Sequence, residues 1–389
     1  MDFAESDERL ALREAVAALG AKYGQRYMRE KAQAGEKTSE LWAEAGQLGY
    51  LGVNIPTGYG GGGGGIADLA AVCEELGAAG CPLLLMVVSP AICGSIITRY
   101  GTDDQRKRWL PSIADGSYTM VFAITEPDAG SNAHKITTTA RRDGSAADGD
   151  WLLSGQKVFI SGVDEAQSVM VVARTEDART GKLKPALYVV PTDAPGLEYQ
   201  PIEMEIRSPE KQFTLFFDDV RLPADALVGD EDAGLLQLFA GLNPERIMAA
   251  AFALGIGRLA LGRAVEYANN RSVFGQPIGA HQAIAHPLAQ CVIELEQAKL
   301  MTQKAAWLYD NGDDMAAGEA ANMAKYAAAE AAVRIVDAAV QTHGGNGLTA
   351  EYGVGSLLAA VRATRIAPVS REMILNFVAM HTLGLPKSY

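Results

Sequence analysis

The sequence predicts an α+β chain in three successive parts, helical, then β, then helical again, and three observations carry that expectation. Apolar residues recur at helical spacing over residues 3 to about 115, beginning with Leu10, Leu12, Val16 and Leu19. From Tyr118 to about Val228 the pattern changes to short β-branched and aromatic runs separated by Gly, Asp and Pro. After Gly234, long Ala-rich segments with few breakers return. At 389 residues the chain exceeds what one simple core organises, and the changes of pattern set the expected domains at 1–116, 117–229 and 230–389.

In the first part, Ala67 to Ala78 and Gln105 to Ile113 read as further helices. Between helical segments lies Gly58-Tyr-Gly-Gly-Gly-Gly-Gly-Gly65, which meets a GxGxxG pattern through its glycine content alone. No strand precedes it and no ribose-binding acid follows, so a flexible loop is expected. The most apolar run, Pro82 to Ile97, contains Pro90 and is too short to span a bilayer.

The β part divides into runs at 119–125, 136–141, 151–161, 168–174, 186–191 and 212–220. A strand and a Pro turn, from Phe216 to Gly229, close it. The last part gives helices at 244–270, 280–311, 316–343 and 351–382, four long antiparallel elements that make a bundle. Asn243 as N-cap and Pro244 as first helical residue place Glu245 in a first turn.

Two stretches carry chemistry. Val121 to Asn132, VFAITEPDAGSN, is a β-prone run that breaks at Glu126-Pro127 into a Gly-containing turn. It leaves the Thr125 and Ser131 hydroxyls and free N–H groups at a strand end, which suits either a heterocycle or phosphate or an ordinary solvent-facing turn. The second stretch is Leu153-Ser-Gly-Gln-Lys-Val-Phe-Ile-Ser-Gly162.

Together they resemble the paired signatures of the acyl-CoA dehydrogenase family, and the agreement extends from Gly101-Thr-Asp-Asp-Gln-Arg106 to the C-terminus. The resemblance implies a helical N-terminal domain, a central β-barrel domain and a C-terminal four-helix bundle around FAD. It places Phe122, Ile124, Thr125, Gly130 and Ser131 of the first stretch and Phe159, Ile160 and Ser161 of the second at the flavin. Glu126 and Asp128 belong to the turn itself. Asn270-Arg-Ser-Val-Phe-Gly-Gln-Pro-Ile-Gly-Ala-His-Gln282 is similar to the family segment that crosses a dimer interface to the FAD pyrophosphate and adenine, implying roles for Arg271, Phe274 and Gln282. Gln341-Thr-His-Gly-Gly-Asn-Gly347 closes a helix with glycines; by resemblance Gln341, Gly344 and Gly345 hold the FAD of another subunit, and Ser370 and Glu372 contact FAD as well.

Family members take the α-proton of an acyl-CoA with a carboxylate while the β-hydrogen leaves as hydride to flavin N5. In most of them the base lies in a Tyr-Glu-Gly-Thr segment; the aligned residues here are Ala367-Pro368-Val369-Ser370. A minority place it at the start of the first helix of the C-terminal bundle, where this chain has Leu242-Asn-Pro-Glu-Arg246, which makes Glu245 the expected catalytic base. The competing account of Glu245 is an acid favoured by a helix dipole. Ser131, Asn243 and Arg246 are expected at the substrate, with a surface salt bridge as the other account of Arg246. Pro368 stands where the family uses a backbone N–H to polarise the thioester, and proline has none.

A net charge of -13 argues against nucleic acid as partner. Cys73, Cys81, Cys93 and Cys291 lack ligand spacing and read as buried thiols, and with five scattered histidines no metal site is expected. The acidic start, Met1 to Arg9, has no signal-peptide pattern, and a cytoplasmic chain is expected. The resemblance further implies an acyl-CoA substrate, an electron-transfer flavoprotein as electron acceptor and a homotetramer, a dimer of dimers. The rivals are a non-catalytic partner subunit of a hetero-oligomeric dehydrogenase, an acyl-CoA oxidase, and a flavin-dependent member with altered chemistry.

Overall fold

A computed structural model describes residues 4–144, 149–176, 181–231 and 235–387. Met1 to Phe3 of the acidic start and Gly234, where the last helical part was expected to begin, lie outside the described residues.

The chain opens with α1 (Asp7–Ala34), with acids in its first turn and Lys31 in its last, as the helix dipole favours. Gly24, at φ 70, breaks it. After α2 (Ser39–Gln47) comes the glycine run, and here the expectation of a flexible loop fails. Gly62, Gly63 and Gly64 donate N–H groups to the carbonyls of Gly52, Ile55 and Val53 at 2.8–2.9 Å. A Cβ at Gly61 would lie 2.1 Å from the Ile55 oxygen. The glycines permit close backbone packing, and α3 (Ile66–Ala79) follows directly.

Next, α4 (Leu84–Met86) runs through a π-helical stretch, Val87–Gly94, into α5 (Ser95–Tyr100). Pro90 sits inside the π stretch, where the widened turn accommodates its missing N–H. A capping box between Thr102 and Gln105 starts α6 (Asp103–Ala114).

Among the described residues eight strands follow: β1 (Met120–Ala123), β2 (Thr139–Arg142), β3 (Trp151–Ser161), β4 (Ser168–Glu176), β5 (Leu183–Pro191), β6 (Leu197–Ile202), β7 (Gln212–Leu222) and β8 (Leu227–Val228). They form one sheet in the order β6-β7-β3-β2-β4-β5-β8, with β1 parallel to β4. Among the described residues all eight strands belong to this one sheet, the middle β-domain that was expected. Its inner face buries Trp151, Tyr188, Phe213 and Val220, and Trp151 meets Tyr188 edge to face at 5.0 Å. Strand β6 escaped prediction because it is a largely exposed edge, so it lacks an alternating apolar pattern. Residues 136–138, expected in β2, lie outside it: Thr137 and Thr138 bond to Glu126 instead.

The remaining helices are α7 (Leu235–Asn270), α8 (Gln282–Asp310), α9 (Asp314–His343), α10 (Leu357–Ile366) and α11 (Arg371–Phe377), with a short hairpin of β9 (Ser272–Val273) and β10 (Gln276–Pro277) after α7. Two expectations are corrected here. Asn243 is no N-cap and Pro244 no first residue, because α7 begins at Leu235 and carries Pro244 inside it. The single helix expected over 351–382 is two, α10 and then α11 with its π-helical continuation Val378–Thr382, separated around Pro368, whose missing N–H cannot continue α10. Helix α7 is apolar enough to cross a membrane by length and composition, but 72% of its most apolar window is buried within the protein.

By internal contacts the chain divides into two units. One comprises Met1–Glu30, Ile66–Leu83 and Glu245–Tyr389 and is helical apart from the β9–β10 hairpin; the other comprises Lys31–Gly65 and Leu84–Pro244 and contains the eight-stranded sheet. In the first, α3 and α7 approach through Gly77 and Gly255, and a Cβ at Gly255 would lie 2.3 Å from the Glu74 carbonyl oxygen. Gly255→Ala is therefore expected to lower stability by about 2 kcal/mol through overpacking. A shift of the urea midpoint checks this, and an unchanged midpoint would show that the helices can separate freely.

Candidate active site

In the sheet unit, the two motif stretches lie side by side: the Val158 N–H donates to the Thr125 carbonyl at 2.9 Å. What locks them is a buried ion pair. Lys157, fully buried, donates to Glu126 Oε1 at 2.9 Å and to the Ile124 carbonyl at 3.0 Å. The Glu126 carboxylate also accepts from the N–H groups of Thr137 (2.6 Å) and Thr138 (3.0 Å) and the Thr137 hydroxyl (2.8 Å). Burial opposes its ionisation, but the bonds from Thr138, Lys157 and Thr137 outweigh it and hold the carboxyl down at about 2. Glu126 is thus a structural hub of the turn.

Beyond the pair, Phe159 is 56% exposed and sits at φ 58, where β3 and β7 shift register between Lys157 and Ile160. A non-glycine residue held in the left-handed region costs on the order of 1 kcal/mol, and such strain collects at functional sites. Here it turns an aromatic ring out of the sheet at the strand end. Ile160 is buried in the sheet core, so only its main chain can reach a ligand; Phe122 is buried as well but lies outside that core, between Val121 and Ala123, which are in it. Ile124, Thr125 and Ser161 are half-buried, while Gly130 and Ser131 are exposed. The Ser161 hydroxyl donates to Gln212 Oε1 at 3.0 Å and keeps its acceptor lone pairs. An outward ring flanked by two hydroxyls fits a flat heterocycle carrying hydrogen-bonding atoms on its rim.

In the helical unit, Glu245 is the eleventh residue of α7 and lies well past the first turn. The dipole account of its presence therefore falls away, since that effect fades within one turn. The side chain is half-buried, and desolvation pushes its carboxyl up to about 7, with the charges of Arg246 and Lys325 pulling in the other direction. Asn243, by contrast, is 1% exposed.

Lys325 was not anticipated from the sequence. It is a single lysine on the Ala-rich α9, 1% exposed, and its ammonium donates to the Val369 carbonyl at 2.5 Å. A lone basic residue on an otherwise small apolar face was the available signal. Elsewhere in this unit Arg271, Phe274, Gln282, Gln341, Gly344, Gly345 and Glu372 are exposed. Phe274, at φ 56, is 94% exposed on the β9–β10 hairpin. Ser370 caps α11, accepting from the Met373 N–H. The four cysteines are buried thiols outside any disulfide, and among the described residues no group of His, Cys, Asp and Glu could hold a metal.

Residues 6–117, 121–220 and 232–383 match, in turn, the N-terminal, middle and C-terminal domains of acyl-CoA dehydrogenase. The chain is 70% identical over 387 residues to the acyl-CoA dehydrogenase FadE12 of Mycobacterium tuberculosis, a match covering 100% of this chain and 99% of that one. Among solved structures it is similar to butyryl-CoA dehydrogenase from Megasphaera elsdenii, with TM-score 0.91 and 29% identity, over 98% of this chain and 100% of that one. It is also similar to a glutaryl-CoA dehydrogenase from Mycobacterium smegmatis in complex with FADH2, with TM-score 0.89 and 28% identity, over 99% of this chain and 96% of that one. With matches running through the helical, sheet and helical parts alike, this chain belongs to the acyl-CoA dehydrogenase family of oxidoreductases.

Proposed function

We infer that the protein is an FAD-dependent acyl-CoA dehydrogenase that converts an acyl-CoA thioester to the 2-enoyl-CoA, with Glu245 as the base for the α-proton. The observation that carries this reading is a half-buried carboxyl on α7 in a chain whose three parts match the family's three domains; desolvation pushes that carboxyl up to about 7, suited to accepting and releasing a proton near neutrality. Arg246 and Lys325 favour its ionised form, so enough carboxylate is present to act as base. Phe122, Ile124, Thr125, Phe159, Ser161 and the main chain of Ile160 are assigned to the flavin, together with Gly130, Ser131 and Ser370. Arg271, Phe274, Gln282, Gln341, Gly344 and Gly345, all exposed, are assigned to FAD contacts that involve a second subunit, and Glu372, also exposed, is assigned to FAD. When bound, FAD supplies the acceptor for the β-hydrogen. Ser131, Asn243 and Arg246 are assigned to the substrate; for Asn243 its burial restricts that role to orienting its neighbours. An electron-transfer flavoprotein as acceptor, a homotetramer and a cytoplasmic location complete the reading.

The test is purification with FAD and mixing with a panel of acyl-CoA thioesters. Bleaching of the flavin absorbance by at least one of them is expected. A colourless protein that cannot be reconstituted, or flavin that no thioester reduces, would sink the reading. A second reading, a non-catalytic partner subunit, is favoured by Pro368 and would leave the flavin bound but unreduced.

Phe159→Gly gives a narrower check. Relief of the left-handed strain should leave the apoprotein as stable or more so, by about 1 kcal/mol. Loss of the ring should weaken FAD binding by about tenfold, a typical worth for one aromatic stacking contact. Flavin fluorescence titration reads the second effect; unchanged affinity would remove Phe159 from the flavin site.

A further inference from the structure

Side chains before, within and after the glycine turn that follows α9 converge on one ring of α7. His343, the last residue of α9, stacks on Tyr267 with ring centroids 4.4 Å apart and planes 28° from parallel. Tyr352, beyond the turn, meets both rings edge on at 5.5 Å. Between them in sequence, Asn346 donates from Nδ2 to the Tyr267 hydroxyl at 3.1 Å. His343 is itself fixed: its Nδ1 lies 2.7 Å from the Ala339 carbonyl, which can only accept, so that nitrogen carries the proton and donates. The main chain of Tyr267 serves a second segment, its carbonyl accepting from the Arg271 N–H at 2.8 Å.

The turn needs such an anchor. Gly344-Gly-Asn-Gly347 carries three glycines, which leave the backbone the widest choice of conformations, and its single side chain beyond hydrogen is the one that reaches Tyr267. The Asn346 carbonyl in turn accepts from the Thr349 N–H at 3.1 Å and hydroxyl at 2.8 Å, which closes the turn behind it.

We propose that Tyr267 is a positioning residue of the cofactor site, fixing the glycine turn and Arg271 relative to one another before FAD arrives. The proposal rests on the assignment of Arg271, Gly344 and Gly345 to FAD contacts. A ligand that has to order a loop loses affinity by the entropy of ordering it, and a loop ordered in advance avoids that loss. Tyr267 acts through the turn and not by contact with the cofactor.

Tyr267→Phe and Asn346→Ala remove the same hydrogen bond from its two ends, and Tyr267→Phe keeps the ring stack. Fluorescence titration of the apoprotein with FAD is expected to give about fivefold weaker binding for either, near the net worth of one hydrogen bond, with no further loss when the two are combined. Tyr267→Leu removes the stack as well and should weaken binding by about thirtyfold. Amide exchange of residues 344–348 should quicken in the apo form of each variant and slow again once FAD is bound. The urea midpoint of Tyr267→Phe should stay near that of the wild type, because local opening of a turn lies below global unfolding in free energy.

Unchanged FAD affinity in Tyr267→Phe and Asn346→Ala overturns the proposal, and so do losses that add in the double variant. A lowered urea midpoint with FAD affinity intact overturns it equally, since it marks a purely structural tie. Arg271→Gln separates this failure from failure of the cofactor assignment. If Arg271→Gln weakens FAD binding and Tyr267→Phe does not, the positioning role falls; if neither does, these segments do not reach FAD and the assignment falls.

Discussion

Glu245→Gln is expected to slow flavin reduction by an acyl-CoA by about a thousandfold, within the range that a positioned general base contributes. The amide keeps the size of the side chain and cannot take a proton, so FAD content should be unchanged. In the wild type, kcat/KM should fall as pH drops through about 7, the midpoint to which desolvation raises this carboxyl. That limb should be absent from whatever activity the variant retains. Stability moves in a related way. The folded-state pKa of Glu245 lies above the unfolded value, so between about 4.5 and 7 the folded chain binds more protons, and its stability declines as pH rises through that window. The glutamine variant loses this decline and should be at least as stable as wild type above pH 7. Stopped-flow absorbance and urea unfolding across pH check the two halves. A variant that reduces its flavin at the wild-type rate removes Glu245 from the chemistry.

Glu126→Ala should cost about 3–5 kcal/mol, the usual penalty for leaving one partner of a buried ion pair without the other. Lys157 would keep only the Ile124 carbonyl, and Thr137 and Thr138 would lose their acceptor. The double variant Glu126→Gln, Lys157→Met removes both charges, keeps the volumes similar and should recover much of the loss. The pair also sets an acid limit. Glu126 has a folded-state pKa of about 2 against an ordinary 4.5, so its contribution is complete above about 4.5 and disappears as pH falls towards 2. The shift corresponds to about 3 kcal/mol. Circular dichroism in urea between pH 2 and 6 should show wild type losing that margin and Glu126→Gln losing far less. Equal acid sensitivity in the two would mean that the carboxylate is not the group that titrates. Because Lys157 and Glu126 join the turn after β1 to β3, flavin affinity should fall in step with stability.

Much of the fold was legible because its signals are local. The expected strand at 151–161 coincides with β3, and 212–220 falls within β7, since alternation and flanking turn residues are properties of a few neighbours. The helical segments of α8 and α9 were placed within two residues at each end, and the buried state of the four cysteines followed from their apolar surroundings. The family was legible from two motifs for the same reason.

What tertiary structure alone decided depends on burial. Asn243 and Pro244 carry a strong local signal for a helix start, yet α7 begins at Leu235, because Leu238 and Ala240 are buried ahead of them and packing offsets the bond that Pro244 cannot make. Sequence named Glu245 as a candidate. Only its desolvation in the folded chain, opposed by the charges of Arg246 and Lys325, raises its carboxyl to about 7. The glycine run was expected to be loose and is packed, and β6 has no apolar pattern to betray it. Backbone preference is written residue by residue and can be read along the chain; the dielectric around a side chain is set by atoms far away in sequence, and it exists only once the chain has folded.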